Sequence, residues 1–584
     1  MKRYILKTTL LALLAGTAGS CIEETFPESS TVTADQLTEM SSGTTGLVNA
    51  IAGRFGEVGA ISSSEDFDLG YPGLGIIRDV HCSDMSIYDT GYEYFWYFAT
   101  NTFLSNNYIT IYVPWAFYYK LISTTHQILR LEYSDQNKAD FGLAHFFRAW
   151  AYFDLTRWYE YKHTGVASLD EYAQANGIYG LTVPIISENT TEEEARRTPR
   201  APFYEMYRFI LDDLDKAEEY LDGYSRPAKN RPDLATIYGF KARFWLELAS
   251  RFELYPDDLA ALTASDVDLG VTTVRECYEK AASYARLAIG RSGATPLSEA
   301  EWYGGSSYTE GFNNINSSAW MLGTIIQKEN LSSRAWRNFI GHMSSEQHFG
   351  VGGIYYDSST GTYSNQYAGQ RLIATALYRS IGDDDWRKAT WLNPADEGKE
   401  SAYDNYKTSV PKAHFVKIPA YASFKFRPKG GERTDYSVGA AADYPLMRVE
   451  EMYFIEAEAL AGSQGVAAGV NALQNFLNSY RYRNGSYRCM ATDMASFRDA
   501  LMLQKRIEFW GEGIIFWDYK RLELQVVKGY EGNNFPLPEY RLNSIKGYCA
   551  PWLIGYISTD EVVENPAIIP NPDCSNSIPY WTGN

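Results

Sequence analysis

The chain has 584 residues, with 53 Lys and Arg against 72 Asp and Glu and a formal net charge of -19. Nucleic acids and anionic lipid surfaces are held by clustered Lys and Arg, so this balance argues against both as partners. Aromatic residues make up 15% of the chain, including 46 Tyr and 14 Trp, more hydroxyls than a core easily satisfies, so exposed rigid aromatic surface is expected.

Residues 1–20 read as a secretory signal. Lys2, Arg3 and Lys7 form a basic leader, and residues 10–18 form an apolar run too short to span a bilayer. The run ends Ala18-Gly19-Ser20-Cys21. Small residues before a cysteine suit a lipoprotein signal peptidase, which makes Cys21 the expected lipidation site, although Ala18 stands where Leu is usual. Several acyl chains on one residue hold a protein firmly to a membrane, whereas one binds only marginally. Cleavage there removes three cations and no anions, leaving 50 against 72, or -22. Residues 21–34 have too little apolar surface to offset their ordering entropy and read as a flexible tether. Residues 35–584 follow without a low-complexity linker and read as one domain, with a helical half at 35–290 and a loop-rich plus helical half at 291–584.

In chain order, helices are expected at 35–58, at 115–131 after Pro114, and at 138–159, where Phe141, Ala144, Ala151, Leu155 and Trp158 recur at helical steps. The next spans 203–221, with Tyr207, Ile210, Leu214 and Ala217 inward and Asp212, Asp213 and Asp215 facing water. Helices at 234–250 and 274–289 carry small Ala positions that let neighbours approach. Successive helices of this kind resemble tetratricopeptide pairs, made irregular by long insertions. Residues 290–437 change to Gly, Ser, Asn and aromatics, the texture of long functional loops, with a strand-like stretch at 321–326. Helices resume at 449–460, at 469–480, and from 496 through 506 towards 517. The tail from 529 is irregular. The predicted fold class is mainly α: an irregular tetratricopeptide-like scaffold with a long loop-rich, aromatic-rich insertion face.

The chemistry of most enzyme and cofactor classes is missing. No zinc-protease, phosphate-binding, dinucleotide or serine-nucleophile motif occurs, and the seven His form no metal-like pair within a helix turn. Besides Cys21 the cysteines are Cys82, Cys277, Cys489, Cys549 and Cys574, an odd number without CxxC spacing, which speaks against a disulfide framework or zinc site; pairing of the last two stays open. No cofactor, metal or enzymatic activity is expected.

Three segments carry a family resemblance: Phe147-Arg148-Ala149-Trp150-Ala151-Tyr152-Phe153-Asp154-Leu155; Tyr444-Pro445-Leu446-Met447-Arg448 running to Glu456-Ala457-Glu458-Ala459; and Lys505-Arg506-Ile507-Glu508-Phe509-Trp510-Gly511-Glu512-Gly513 running to Trp517-Asp518-Tyr519-Lys520-Arg521. In this order they resemble the SusD/RagB family of Bacteroidetes outer-membrane lipoproteins along the whole chain. Trp510 and Ile514-Ile515 depart from it. The resemblance implies a SusD-like tetratricopeptide scaffold that caps a SusC-like TonB-dependent transporter and captures oligosaccharides or, in some members, peptides. Glu23 and Glu24 beside Cys21 resemble the signal that carries such lipoproteins to the outer leaflet of the outer membrane; solvated linker charge is the alternative. Arg148, Glu456, Arg506 and Glu508 lie on helices that otherwise look buried and read as scaffold ion pairs, since buried charges need partners.

A sugar presents an apolar C–H face and a rim of hydroxyls, which call for flat aromatics beside Asn, Asp, Arg or Tyr. Two stretches supply both: residues 92–108 and residues 302–320. The resemblance implies that glycan sites draw on these regions, and the expected ligand-binding residues are Trp96, Asn101, Trp302, Tyr308 and Trp320. Packing of Trp96 and Trp320 beneath loops is the alternative.

Overall fold

A computed structural model of the chain describes residues 43–88, 94–365 and 369–583, so the signal, Cys21, the tether and residues 92–93 of the first aromatic stretch lie outside the described residues. Thr44–Asn584 forms one compact unit, mainly α-helical. Its principal helices are α1 (Gly43–Arg54), α2 (Tyr71–His81), α3 (Ile109–Leu129), α4 (Lys138–Tyr159), α5 (Phe203–Tyr220), α6 (Leu234–Leu254), α7 (Val274–Ser292), α8 (Val449–Gln464), α9 (Val466–Tyr480), α10 (Met494–Glu508) and α11 (Ile515–Arg521). Consecutive helices pack on one another: α3 on α4, α4 on α5, α6 on α7, α7 on α8, and α8 on α9. Small residues set the approach. A Cβ on Gly142 of α4 would lie 2.8 Å from Leu221 Cγ, beyond the end of α5.

Local chemistry fixes the helix ends. Asp233 accepts from the Thr236 amide to cap α6, and Thr273 with Glu276 forms a capping box before α7. Three elements differ from the expected ones. The Pro114 taken as a helix start lies inside α3, which begins five residues earlier. Helix α2 is buried along its whole length, so it shows no polar face by which periodicity could reveal it. The helix expected to run from 496 towards 517 is broken into α10 and α11. Gly511 and Gly513 hold φ of 80° and 67° there, and a Cβ on Gly513 would meet Gly75 of α2 at 2.5 Å. Only glycine allows both that backbone and that approach.

Residues 293–448 form a long insertion between α7 and α8, which nevertheless pack directly on each other. Strand β2 (Trp320–Thr324) pairs antiparallel with β6 (Tyr444–Arg448), so the chain leaves and returns at one place. The other strands also form two-stranded antiparallel pairs: β1 (Met85–Ile87) with β5 (Arg371–Ile373), and β3 (Tyr355–Asp357) with β4 (Thr362–Ser364). The insertion has an apolar core of its own, including Ile354, Leu392, Val410, Phe415, Ile418 and Phe424.

Insertion and scaffold are joined by buried charge. Asp385, Arg387, Lys425 and Arg448 of the insertion meet Glu450, Arg481, Glu508 and Glu512, every side chain at most 1% exposed. Arg387 pairs with Asp385 at 2.6 Å and Glu508 at 2.9 Å, Arg481 with Glu508 at 2.7 Å, Arg448 with Glu512 at 2.9 Å, and Lys425 with Glu512 at 2.6 Å. Four cations face four carboxylates. That balance is what burial demands, because leaving one partner alone in a low dielectric typically costs about 3–5 kcal/mol.

Candidate functional site

The aromatic stretch that reaches the surface is residues 94–108. It is anchored from below and pinned from the side. Phe95 and Phe98 point into the core, Phe98 against Phe67 at 5.3 Å between ring centroids and Phe95 against His342 at 5.2 Å. The one-turn helix Trp96–Ala99 closes with the Thr100 hydroxyl donating to the Trp96 carbonyl at 2.8 Å. Three non-glycine residues then take left-handed backbone within six positions: Asn101 (φ 53°), Phe103 (φ 56°) and Asn106 (φ 52°). At Phe103 this costs roughly 1–2 kcal/mol, at the two Asn less, and such strain persists only where surrounding contacts over-determine it.

The carboxy-terminal tail supplies those contacts. Asn101 Nδ2 donates to the Cys574 carbonyl at 2.9 Å, and the Asn576 amide donates to the Asn101 carbonyl at 2.9 Å. The Leu104 amide donates to Ser575 Oγ at 3.0 Å. The Thr559 amide donates to the Asn106 carbonyl at 3.2 Å, and Asn107 Nδ2 donates to Asp560 at 2.9 Å. With the backbone held, the rings turn outward. Trp96 is half-buried, while Tyr97, Phe103 and Tyr108 are 37%, 43% and 42% exposed. Successive centroids are 5.4, 5.9 and 4.8 Å apart and successive planes are inclined by 77°, 70° and 60°. The result is a continuous, corrugated ridge of four rings on a rigid loop. It offers apolar faces with a phenol at two positions, a surface suited to C–H faces and hydroxyl rims.

The five residues expected to bind ligand do not form one exposed surface. Trp96 is in the ridge. Asn101 is 1% exposed and serves the backbone of the loop. Trp302 is buried, its indole N–H donating to Thr390 Oγ1 at 3.1 Å, with Phe312 and Trp386 against its ring. Its face covers the buried charges, with Lys425, Arg481 and Arg448 at 5.0, 5.6 and 5.9 Å from the ring. Trp320 is the first residue of β2 and wholly buried. Both tryptophans are therefore core, because the insertion folds back over them. Tyr308 is half-buried at φ 54°, its carbonyl accepting from Arg427 Nη1 at 2.6 Å. Tyr97, Phe103 and Tyr108 lie within the expected aromatic stretch without being among the five expected ligand residues; their signal is the density of rings and Asn in residues 94–108.

The charged residues of the family-like segments pair away from this ridge. Arg148 holds Asp213 at 2.8 Å and also pairs with Glu188, Arg506 pairs with Asp84, and Glu456 with Arg286. Asp213, expected to face water, is instead buried between Arg148 and His145, whose Nδ1 lies 2.6 Å away. The guanidinium offsets the burial penalty and holds its carboxyl below the usual carboxylate range. Cys549 and Cys574 are separate buried thiols. Among the described residues, no helix is long and apolar enough to cross a membrane, and no group of three or more His, Cys, Asp or Glu is placed to hold a metal ion.

Residues 77–246 match the family described as "Starch-binding associating with outer membrane", and residues 356–547 match the SusD family. A search of curated proteins finds no match. Among solved structures, a SusD-like carbohydrate binding protein from Bacteroides vulgatus aligns at 17% identity and a TM-score of 0.63, over 92% of this chain and 98% of its own. A SusD superfamily protein from Bacteroides thetaiotaomicron aligns at 17% and 0.62, over 93% and 100%. Surface glycan-binding protein A from Bacteroides thetaiotaomicron aligns at 13% and 0.56, over 91% and 99%. These likenesses establish the fold, and with the two family matches, which together span more than half of the sequence, they show that the chain belongs to the SusD/RagB family.

Proposed function

We propose that this protein is a non-catalytic, glycan-binding lipoprotein of the outer membrane. It is anchored through Cys21, captures oligosaccharides on the ridge of Trp96, Tyr97, Phe103 and Tyr108, and delivers them to a SusC-like TonB-dependent transporter. The observation that carries the reading is the ridge itself: a chain of exposed rings on a loop whose strained backbone is clamped from the tail. Such a loop is ordered before the ligand arrives, so little conformational entropy opposes binding. The successive ring planes are inclined to one another and offer no flat face, which suits a flexible soluble chain better than a flat crystalline one.

The test is calorimetric titration of the mature unit with malto-, xylo- and manno-oligosaccharides, and with peptides for the alternative of a peptide importer. Covering roughly 40 Å² of one ring at about 25 cal/mol/Å² is worth on the order of 1 kcal/mol, about a fivefold change in affinity. Phe103→Ala should therefore weaken glycan binding about fivefold and leave the global melting transition in place. Binding of peptides instead of glycans would replace the substrate class, and release of new reducing ends during the titration would make the protein an enzyme. Acyl labelling lost in Cys21→Ala, and a β-barrel transporter copurifying from mild detergent, test the anchor and the partner.

A further inference from the structure

Exposed rings continue past Tyr108. That residue is the N-cap of α3, and Tyr112, one turn on, is 41% exposed and opens a groove of about 650 Å³. Tyr119, half-buried, continues the lining along the same helix over the buried Trp115, with their ring centroids 4.6 Å apart. From Tyr108 to Tyr119 the rise of an α-helix gives a run of roughly 16 Å.

The opposite wall is the short helix Thr559–Glu564, the same tail segment that clamps Asn106 and Asn107. Ridge and groove therefore share one rigid support. Glu561 of that wall lines the same groove as Trp115. At the mouth, Arg196 reaches Glu192 at 3.0 Å and also pairs with Glu564, tying two walls together. All three of those side chains are more than half exposed, and exposed ion pairs are worth little, so their groups can exchange partners for hydroxyls at small cost. Lys120 adds a second cation to the lining. Two cations against Glu192, Glu561 and Glu564 leave the groove one negative charge, within a strongly acidic chain. The rings of Tyr112 and Tyr119, a polar exchangeable rim and a slight negative balance fit a neutral sugar chain better than a uronate or sulfated one.

We propose that this groove is a second glycan subsite, taking the onward sugar units of a neutral, extended chain whose first units lie on the ridge. The proposal rests on the glycan reading above.

Titration with malto-, xylo- and manno-oligosaccharides from trisaccharide to octasaccharide tests it, with polygalacturonate as the anionic polymer. In at least one neutral series the octasaccharide should bind more tightly than the trisaccharide. Tyr112→Ala should lower octasaccharide affinity about fivefold and leave trisaccharide affinity and melting unchanged. Tyr112→Phe, which keeps the ring, should retain both affinities, and polygalacturonate should not bind. Equal effects of Tyr112→Ala on short and long chains, no effect on either, or preferential binding of polygalacturonate would overturn the subsite and leave the ridge reading intact. A parent protein that binds none of the neutral series overturns the glycan reading itself.

Discussion

Residues 94–108 carry seven aromatics in fifteen positions and residues 302–320 five in nineteen, each with three Asn, yet the first displays rings at its surface and the second hides nearly all of its own. The difference comes from what arrives from elsewhere in the chain. Under the first stretch the tail 558–576 takes up backbone groups and leaves the rings free. Over the second, the insertion brings Trp386, Thr390 and Lys425 onto Trp302. A segment clamped through its backbone can afford exposed side chains, whereas one packed through its side chains cannot.

The largest effects should fall on the hidden stretch. Trp302→Ala and Trp320→Ala should each cost about 3–5 kcal/mol in urea denaturation by opening a core cavity. Trp302 should be the more costly, because its indole N–H is bonded while that of Trp320 has no partner to lose. An unchanged denaturation midpoint with lost glycan binding would return either residue to the ligand surface.

Acid should loosen the insertion next. His348 and His414 of the insertion lie 3.0 Å apart, next to Arg433, and burial lowers their pKa to about 4 and about 3 from an ordinary 6.5. Below about 6.5 the unfolded imidazoles take up protons that the folded ones refuse. Stability should therefore fall as pH drops from about 6.5 towards 4. His348→Gln should flatten that slope relative to the parent, measured by denaturation at a series of pH values; an unchanged slope would assign it to other groups.

The smallest expected effect isolates the strain of the exposed loop. Phe103→Ala and Phe103→Gly both remove the ring, but only glycine relaxes a φ of 56°. The glycine variant should be about 1 kcal/mol more stable than the alanine variant by denaturation, with the two binding glycan equally weakly. Equal stabilities would mean the backbone there is unstrained.

The helical scaffold was legible wherever one face met water. In α5 the apolar spacing showed which side packs, although Asp213 escaped because its partners Arg148 and His145 come from another helix. Helix α2 had no wet face and left no pattern. Pro114 misled because a proline read as a boundary is tolerated inside α3. For the candidate surface, the aromatic region is visible as composition, yet of the expected residues only Trp96 lies on the ridge, and Asn101 is buried with its side chain bonded to the tail.

By itself the sequence determined the family, the mainly helical class and the presence of two aromatic-rich loops, because these follow from local periodicity and from motifs whose residues are neighbours in the chain. Which aromatics face solvent, which charges neutralise one another across the insertion, and the groove between α3 and the tail are set by long-range packing. Burial and pairing depend on contacts between residues more than a hundred positions apart, such as Asn101 with Cys574 and Arg387 with Glu508, and no local pattern records them.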